Sequence, residues 1–411
     1  MANTIKTLSD GDITRKALSI LHNNLVFCKT INRQYDDRFA RSGAKNGGSL
    51  LIREPNQFTV RTGQIMDTQD VTENTQTLTV ATQKGVDINF SSVELTLSLD
   101  DFAERILEPA MARLAADVDA TVIDACYPYV YNHIHGTFGT APTLAQILAA
   151  RARLSKELAP SSNRVCMTDA VAANGVITAG YNIFNPASEI SRQYDTGMLG
   201  TVYGFKFYES EMTPTHTNGA RSTDTATVDL SGTGLISGDA TITLSALLTS
   251  DSYKIGDVFT IAGVYAVNPE TKAVYSHLQQ FSVIDADVTV DTTSDTVEVS
   301  PTPVTSGAYQ NCSIETVSAT AASVNLTAGG SGAASTGYVN SMAYHRDAFT
   351  MVTADLEVPK GVDFAHREVY DGISLRLVRQ YDIVNDKFPC RIDVLFGQKA
   401  IRPGWACRIS S

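Results

Sequence analysis

A break in composition near the middle of the chain constrains the fold most. Residues 219–335 hold three Lys/Arg against twelve Asp/Glu, a net of −9 that supplies most of the −12 carried by all 411 residues. Short Thr/Val runs such as Ala240-Thr241-Ile242-Thr243-Leu244 and Thr296-Val297-Glu298-Val299 recur there. Turn signals such as Ile255-Gly256-Asp257 and Asn268-Pro269-Glu270 separate them. β-Branched side chains suit a pleated surface, whereas Gly, Pro and Asn interrupt it. Many short strands at regular spacing therefore predict a small β-barrel or sandwich. The Thr213–Gly219 stretch leads in, and the Gly/Ala/Ser-rich run Ala328–Ala334 predicts a flexible exit. Helical and mixed character resumes beyond it, so the β block is expected as an insertion within a host domain.

The host has one clear helix. Met111, Leu114, Ala115, Val118, Val122, Ile123 and Cys126 keep helical spacing after Pro109, which suits a first helical turn, and Pro128 closes the run. Pro109 to Tyr127 is predicted as a single spine, nineteen residues at about 1.5 Å each, or roughly 28 Å. Ser98 and Asp100 offer cap oxygens for a shorter helix through Phe102, Ile106 and Leu107. A further helix is expected from Leu144 to Leu158, closed by Pro160. Residues 57–97, with the alternating Val93-Glu94-Leu95-Thr96-Leu97 and a polar stretch from Asp67 to Gln76, predict a two-stranded excursion with a solvated tip. An isolated two-stranded ribbon is marginal in water, so it is expected to lie on a neighbour. The tail, from Leu375 to Ile409, alternates and should return as strands to the host sheet.

At the start, residues 1–61 carry ten Lys/Arg against five Asp/Glu, a local net of +5. Ile13, Ala17, Leu18, Ile20 and Leu21 make a helical stripe too small to form a core alone, so residues 1–35 are expected to dock on an adjacent subunit. A Gly/Ser-rich joint, Ser42–Ser49, follows.

Chemistry is hard to nominate. His133-Ile134-His135 would put two imidazoles on one face of a strand, but no third ligand is evident, and ordinary hydrogen-bonded histidines are the better reading. In Gly232-Thr233-Gly234-Leu235-Ile236-Ser237-Gly238 the third glycine comes one residue late for a dinucleotide loop, and a Thr-rich strand follows where a helix N-terminus is needed. Asp36/Asp37 and Asp100/Asp101 are paired only in sequence, the latter better explained as helix capping. Cys28, Cys126, Cys166, Cys312, Cys390 and Cys407 are scattered, with no Cys-x-x-Cys pair, and read as packed free thiols. No P-loop, His-Glu-x-x-His or Gly-x-Ser-x-Gly motif is present. No catalytic, cofactor-binding or metal residue is nominated, no cofactor is expected, and the chain is not expected to be an enzyme. The net charge of −12 argues against a dedicated nucleic-acid binder. No apolar run approaches the length of a membrane span, and Met1–Lys6 lacks the apolar core of a secretory signal, so a cytoplasmic origin is expected.

The order of elements resembles the HK97-fold major capsid proteins of tailed bacteriophages, more narrowly the short-tailed-phage branch with an insertion domain. The residues that carry the resemblance are Asn24-Leu25-Val26-Phe27 and Asn32–Ala40 in the arm, Leu97–Arg105 opening the spine, and Pro214–Gly219 entering the insertion. Lys254–Val264 lies within the insertion and Tyr344–Phe349 leaves it. The resemblance implies an α+β fold. Its parts would be an N-terminal arm and linker (1–52), an extended β-loop (53–97), the spine helix with the peripheral domain (98–140) and an axial domain (141–218). An inserted small β-barrel (219–335) and returning axial and peripheral strands (336–411) complete it. The resemblance also implies pentamers and hexamers closing an icosahedral shell in the virion around double-stranded DNA. Such a shell would be assembled in the bacterial host cytoplasm with scaffolding and portal proteins, touch the DNA non-specifically and involve no membrane. A loop near Asp229 to Asp239 would touch a neighbouring capsomer. Some shells of this fold cross-link through a lysine; Lys84 lies in the ribbon, but nothing in the sequence marks it as reactive. A surface-layer, tail or adhesion protein is the competing class, since the β insertion alone would suit one, and an enzyme bearing a β module is a distant third.

Overall fold

The computed structural model describes residues 10–33, 49–66, 68–71, 73–91, 106–137, 139–180, 200–220, 226–232, 234–248, 251–285, 288–289, 294–315, 319, 321–326, 337–370 and 372–410. The strand expected at Val93–Leu97, the caps at Ser98 and Asp100, Asp36/Asp37 and the run Ala328–Ala334 lie outside these residues, as does the joint before Ser49. The chain divides into two compact units. One comprises Met1–Arg53, Thr75–Val122 and Thr350–Lys399, the other Glu54–Asn74, Ile123–Phe349 and Ala400–Ser411.

In the first unit, helix α1 (Asp10–Asn24) turns Thr14, Ala17, Leu18, Leu21 and the following Leu25 inward, all at 2% exposure or less. It packs on strands Phe364–Tyr370 and Ile373–Arg379, with Arg15 3.4 Å from Glu368 at the rim. This corrects the expectation that the stripe awaits an adjacent subunit, because the same chain covers it. The covering strands lie some 350 residues downstream, where an inspection of the arm's own sequence does not reach.

The short helix α2 (Phe27–Thr30) is started by a charge from elsewhere. Asp119 is 2% exposed, and its carboxylate accepts from the backbone N–H groups of Val26 (2.6 Å), Phe27 (3.2 Å) and Cys28 (3.0 Å). First-turn amides have no partner within a helix, and a carboxylate there satisfies them and the local dipole together. Burial raises the Asp119 carboxyl above its ordinary range, and these hydrogen bonds pull against that shift.

Asp119 belongs to helix α3 (Glu108–Cys126), nineteen residues long, with Pro109 in its first turn and Pro128 in the 3-10 turn that follows it. Leu114, Val118 and Val122 are buried, as spacing by four on one helix face requires, and Arg113 is exposed. Lys84 forms an ion pair with Asp117 on this helix at 3.0 Å.

The ribbon starts earlier than expected. Ser49–Arg53 pairs antiparallel with Thr75–Thr79, and Thr82–Ser91 instead pairs with the long strand Lys387–Ala400. That strand also borders Ile373–Arg379, which pairs with Phe364–Tyr370. On it, buried Asp393 is held by Arg376 (2.6 Å) and Arg391 (2.9 Å). Gly85 stands opposite, where a Cβ would come 2.5 Å from the Asp393 carboxylate.

The second unit contains a mixed sheet with strand order His133–Ile134, Ala406–Ser410, Gly337–His345, Arg164–Thr168, Phe205–Glu209, Thr201–Val202. Helices α4 (Leu144–Lys156) and α5 (Ala170–Gly180) border it. A capping box between Thr143 and Gln146 starts α4. Its apolar face, Ile147, Ala150 and Leu154, joins Cys166, Ala343, Cys407 and Ile409 from the sheet in one cluster. The tail thus returns as strands, but to two sheets, with Lys387–Ala400 in one and Ala406–Ser410 in the other.

The insertion is a closed barrel. Strands Val274–Val283, Ser294–Ser300, Thr241–Ser245, Thr227–Val228, Ala322–Leu326 and Val258–Val267 pair in that order, and the last pairs back with the first. Closure leaves no edge among these six strands. Its core includes Phe259, Phe281, Ile242, Leu244 and Val324, all fully buried. Thr215–Thr217 pairs with Gly337–Val339, so the chain enters and leaves the barrel side by side.

Glu157 is a carboxylate at the C-cap of α4. Burial lifts it to about 7, despite a hydrogen bond from the Tyr131 hydroxyl and the nearby Arg153 charge. A carboxyl raised on folding stabilises fully below its ordinary value of 4.5, and that contribution is lost as pH rises through about 7. Glu157→Gln should therefore gain stability relative to the parent between pH 5 and pH 8, by at most about 3 kcal/mol. The same melting-temperature difference at both pH values would contradict this.

The α3 and α1 faces give a second expectation. Leu114→Ala and Leu18→Ala should each cost about 2–5 kcal/mol in the monomer, while Arg113→Ala should change it by less than about 0.5 kcal/mol. Urea unfolding of the three variants checks this, and a silent Leu18→Ala would return the arm to a neighbouring subunit.

Candidate assembly interface

Two segments carry apolar side chains in water on backbone that polar groups brace. Loop 54–74 extends from the ribbon strands, and Glu54 N–H still donates to the Asn74 carbonyl. Inside it Thr59 and Gln69 bond reciprocally, N–H to Oε1 at 2.8 Å and Nε2 to the carbonyl at 2.6 Å, and Arg61 donates to the Gly63 carbonyl. The loop nevertheless presents Phe58, Val60 (94% exposed), Ile65 (88%), Met66 and Val71 to water.

The hairpin between Ile373–Arg379 and Lys387–Ala400 repeats the arrangement in the first unit. Asp382 accepts from the Val384 N–H (3.0 Å) and the Asn385 amide (2.7 Å), and Tyr381 donates to Asp386 (3.0 Å). The Asn385 and Val384 hydrogen bonds hold the Asp382 carboxyl below its ordinary value. Ile383 and Val384, at the apex, are more than four-fifths exposed. Ile and Val exposed on such turns are candidate contact surfaces, since burial in a partner would remove them from water.

The barrel loop between Asp229 and Asp239 is built from two aspartate-led turns. Asp229 accepts from Ser231 and Asp239 from Thr241, each through backbone and hydroxyl. Leu235 bridges to Ile242, and strand Thr241–Ser245 follows, so the Gly232–Gly238 run leads into a strand and not a helix. Ile236 is half exposed on it.

Among the described residues no group of three His, Cys, Asp or Glu side chains is placed to hold a metal ion. His133 is buried and stacks on Tyr338 at 6.1 Å, while His135 is exposed, with the two imidazoles 6.4 Å apart. Burial pushes His133 well below its ordinary value, so it stays neutral. All six cysteines are free and buried. Burial lifts Cys126, Cys166, Cys312 and Cys407 to about 12 and Cys390 to about 11, which makes them poor nucleophiles. The tips carrying Ile65 and Ile383 escaped the sequence reading, although Ile383-Val384 beside Asp382 and Asn385 was a visible signal of an apolar pair inside turn residues.

Residues 210–407 match the family described as "P22 coat protein - gene protein 5", a span that takes in the barrel and the strands returning from it. That span, a little under half of the 411 residues, resembles a phage coat protein. No curated protein matches the chain. Among solved structures it is similar to one from Mycobacterium phage Che8, at 13% identity and TM-score 0.46, covering 94% of this chain and 90% of that one. It is also similar to the capsid of Ralstonia phage GP4, at 6% identity and TM-score 0.46, over 93% and 87%. The capsid of cyanophage P-SCSP1u is similar at 10% identity and TM-score 0.42, over 89% and 83%. The mixed α+β architecture with a closed six-strand barrel agrees with the HK97-like expectation.

Proposed function

We propose that this chain is a tailed-phage major capsid protein that assembles with copies of itself, as pentamers and hexamers, into the icosahedral shell of the virion around double-stranded DNA. The short-tailed branch with an insertion domain, assembly in the host cytoplasm, and scaffolding and portal proteins as partners belong to the same proposal. So does the division into arm, extended loop, peripheral domain, axial domain and insertion drawn from the sequence. The coat-protein match across residues 210–407 carries the reading. The braced apolar tips at loop 54–74 and at Ile383/Val384 support it, because a shell subunit needs surfaces that bury area only against its copies. A net charge of −12 supports a loose, non-specific relation to packaged DNA, since few phosphates would be neutralised. The role is structural, and no catalytic step is proposed.

Electron microscopy of the purified chain, alone and with its scaffolding protein, tests this. Closed shells are the expected outcome, and sheets or fibres would favour a surface-layer or tail protein. Ile65→Ser combined with Met66→Ser should abolish regular shells and leave the monomer's melting temperature within about 2 °C of the parent, as exposed substitutions do. Normal shells from that variant would remove loop 54–74 from the interface.

A further inference from the structure

Every buried member of the barrel's core cluster lies between Ala226 and Val324, so the barrel completes its apolar core without its host. The seam between barrel and host is polar. Barrel side chains take the place of a missing strand along host residues 128–133. Ser282 Oγ donates to the Pro128 carbonyl (2.5 Å), and Ser300 Oγ to that of Tyr129 (3.0 Å). Gln280 both accepts from the His133 N–H (2.9 Å) and donates to its carbonyl (2.8 Å).

Into this seam comes Arg408, from the strand Ala406–Ser410, only 1% exposed. Its Nε donates to the Val130 carbonyl (2.8 Å), one terminal nitrogen to the Gly256 carbonyl (2.7 Å) and the other to Ser282 Oγ (2.9 Å). The guanidinium also lies 5.7 Å from the centre of the Tyr127 ring. Asp257, fully buried in the barrel, supplies the opposite charge in this cluster, bonding His216 (2.8 Å) and the N–H groups of Gly219 and Lys254. Gly256 turns there at φ +96°, and a Cβ would come 3.0 Å from the Tyr127 ring. One side chain thus touches host backbone, barrel backbone and a barrel side chain at once.

A buried guanidinium is costly unless each donor finds an acceptor, and its planar fork meets three fixed acceptors in only one arrangement. We propose that Arg408 is a latch: a charge from the end of the chain that fixes a self-sufficient barrel in one orientation on its host. The latch is distinct from the barrel's own fold. Opening it frees the seam and leaves the six strands intact. It is also distinct from the assembly surfaces, which lie in other segments.

Hydrogen exchange on the full chain separates these roles. In Arg408→Met the amides of His133 and Gly219, which bond to Gln280 and Asp257, should exchange about ten-fold faster or more. Amides within Val258–Val267 and Val274–Val283 should keep their parental rates. Arg408→Lys should behave like Arg408→Met, because a lysine keeps the charge but not the fork. If Arg408→Met yields no folded chain, Ser282→Ala decides, with a smaller acceleration at the same two amides. Unchanged rates at His133 and Gly219 would overturn the proposal, as would equal acceleration throughout the barrel strands.

Discussion

The pairing of Thr215–Thr217 with Gly337–Val339 is a small contact on which much of the second unit depends. Gly337–His345 is a central strand of the mixed sheet, flanked by Arg164–Thr168 and Ala406–Ser410. Because the entering strand lies beside it, the host sheet closes as though the intervening segment were a single long turn. Loop-closure entropy grows only slowly with loop length, so a long insertion costs the host little once its ends are neighbours. The barrel for its part closes on itself, with Val258–Val267 bordered by both Val274–Val283 and Ala322–Leu326. Each core can therefore be completed from its own residues, and the chemistry between them is left to polar groups.

A single distinction organises the apolar surface. Stripes that one unit can cover are covered at once: α1 lies against strands far downstream, and α2 takes its cap from Asp119 of α3. Some of what remains exposed stands on segments braced by their own hydrogen bonds, as at Thr59/Gln69 and around Asp382. Such segments lose little entropy when they meet a partner, because the backbone is already ordered.

Local pattern foretold the elements well where one segment determines its own shape. The spine helix, the helix from Leu144, the barrel and the returning strands follow from spacing, caps and turn residues. The arm did not yield in this way, because its stripe says only that Leu18 and Leu21 will be buried, and the covering strands are set by tertiary packing. The ribbon register was missed for a related reason. Thr82–Ser91 is as good a partner by composition as Thr75–Thr79, and only the tertiary structure shows Gly85 opposite Asp393, where a side chain would meet the buried carboxylate. Arg408 was invisible for the same cause. In sequence it is one arginine in an alternating strand, and only three acceptors from two distant segments give it a role.

Charge partition adds a last constraint. The inserted block carries −9, yet its buried carboxylate Asp257 sits where the host supplies Arg408 and His216. Asp251 is buried as well, whereas Asp229, Asp239 and Glu270 lie on turns, where solvent screens them. Like-charged barrels repel weakly at a distance and would not pair indiscriminately with one another. Apolar contacts at the braced tips, by contrast, act only at short range and only in matching geometry. Repulsion at a distance and apolar attraction at short range would together favour one arrangement of copies over disordered association.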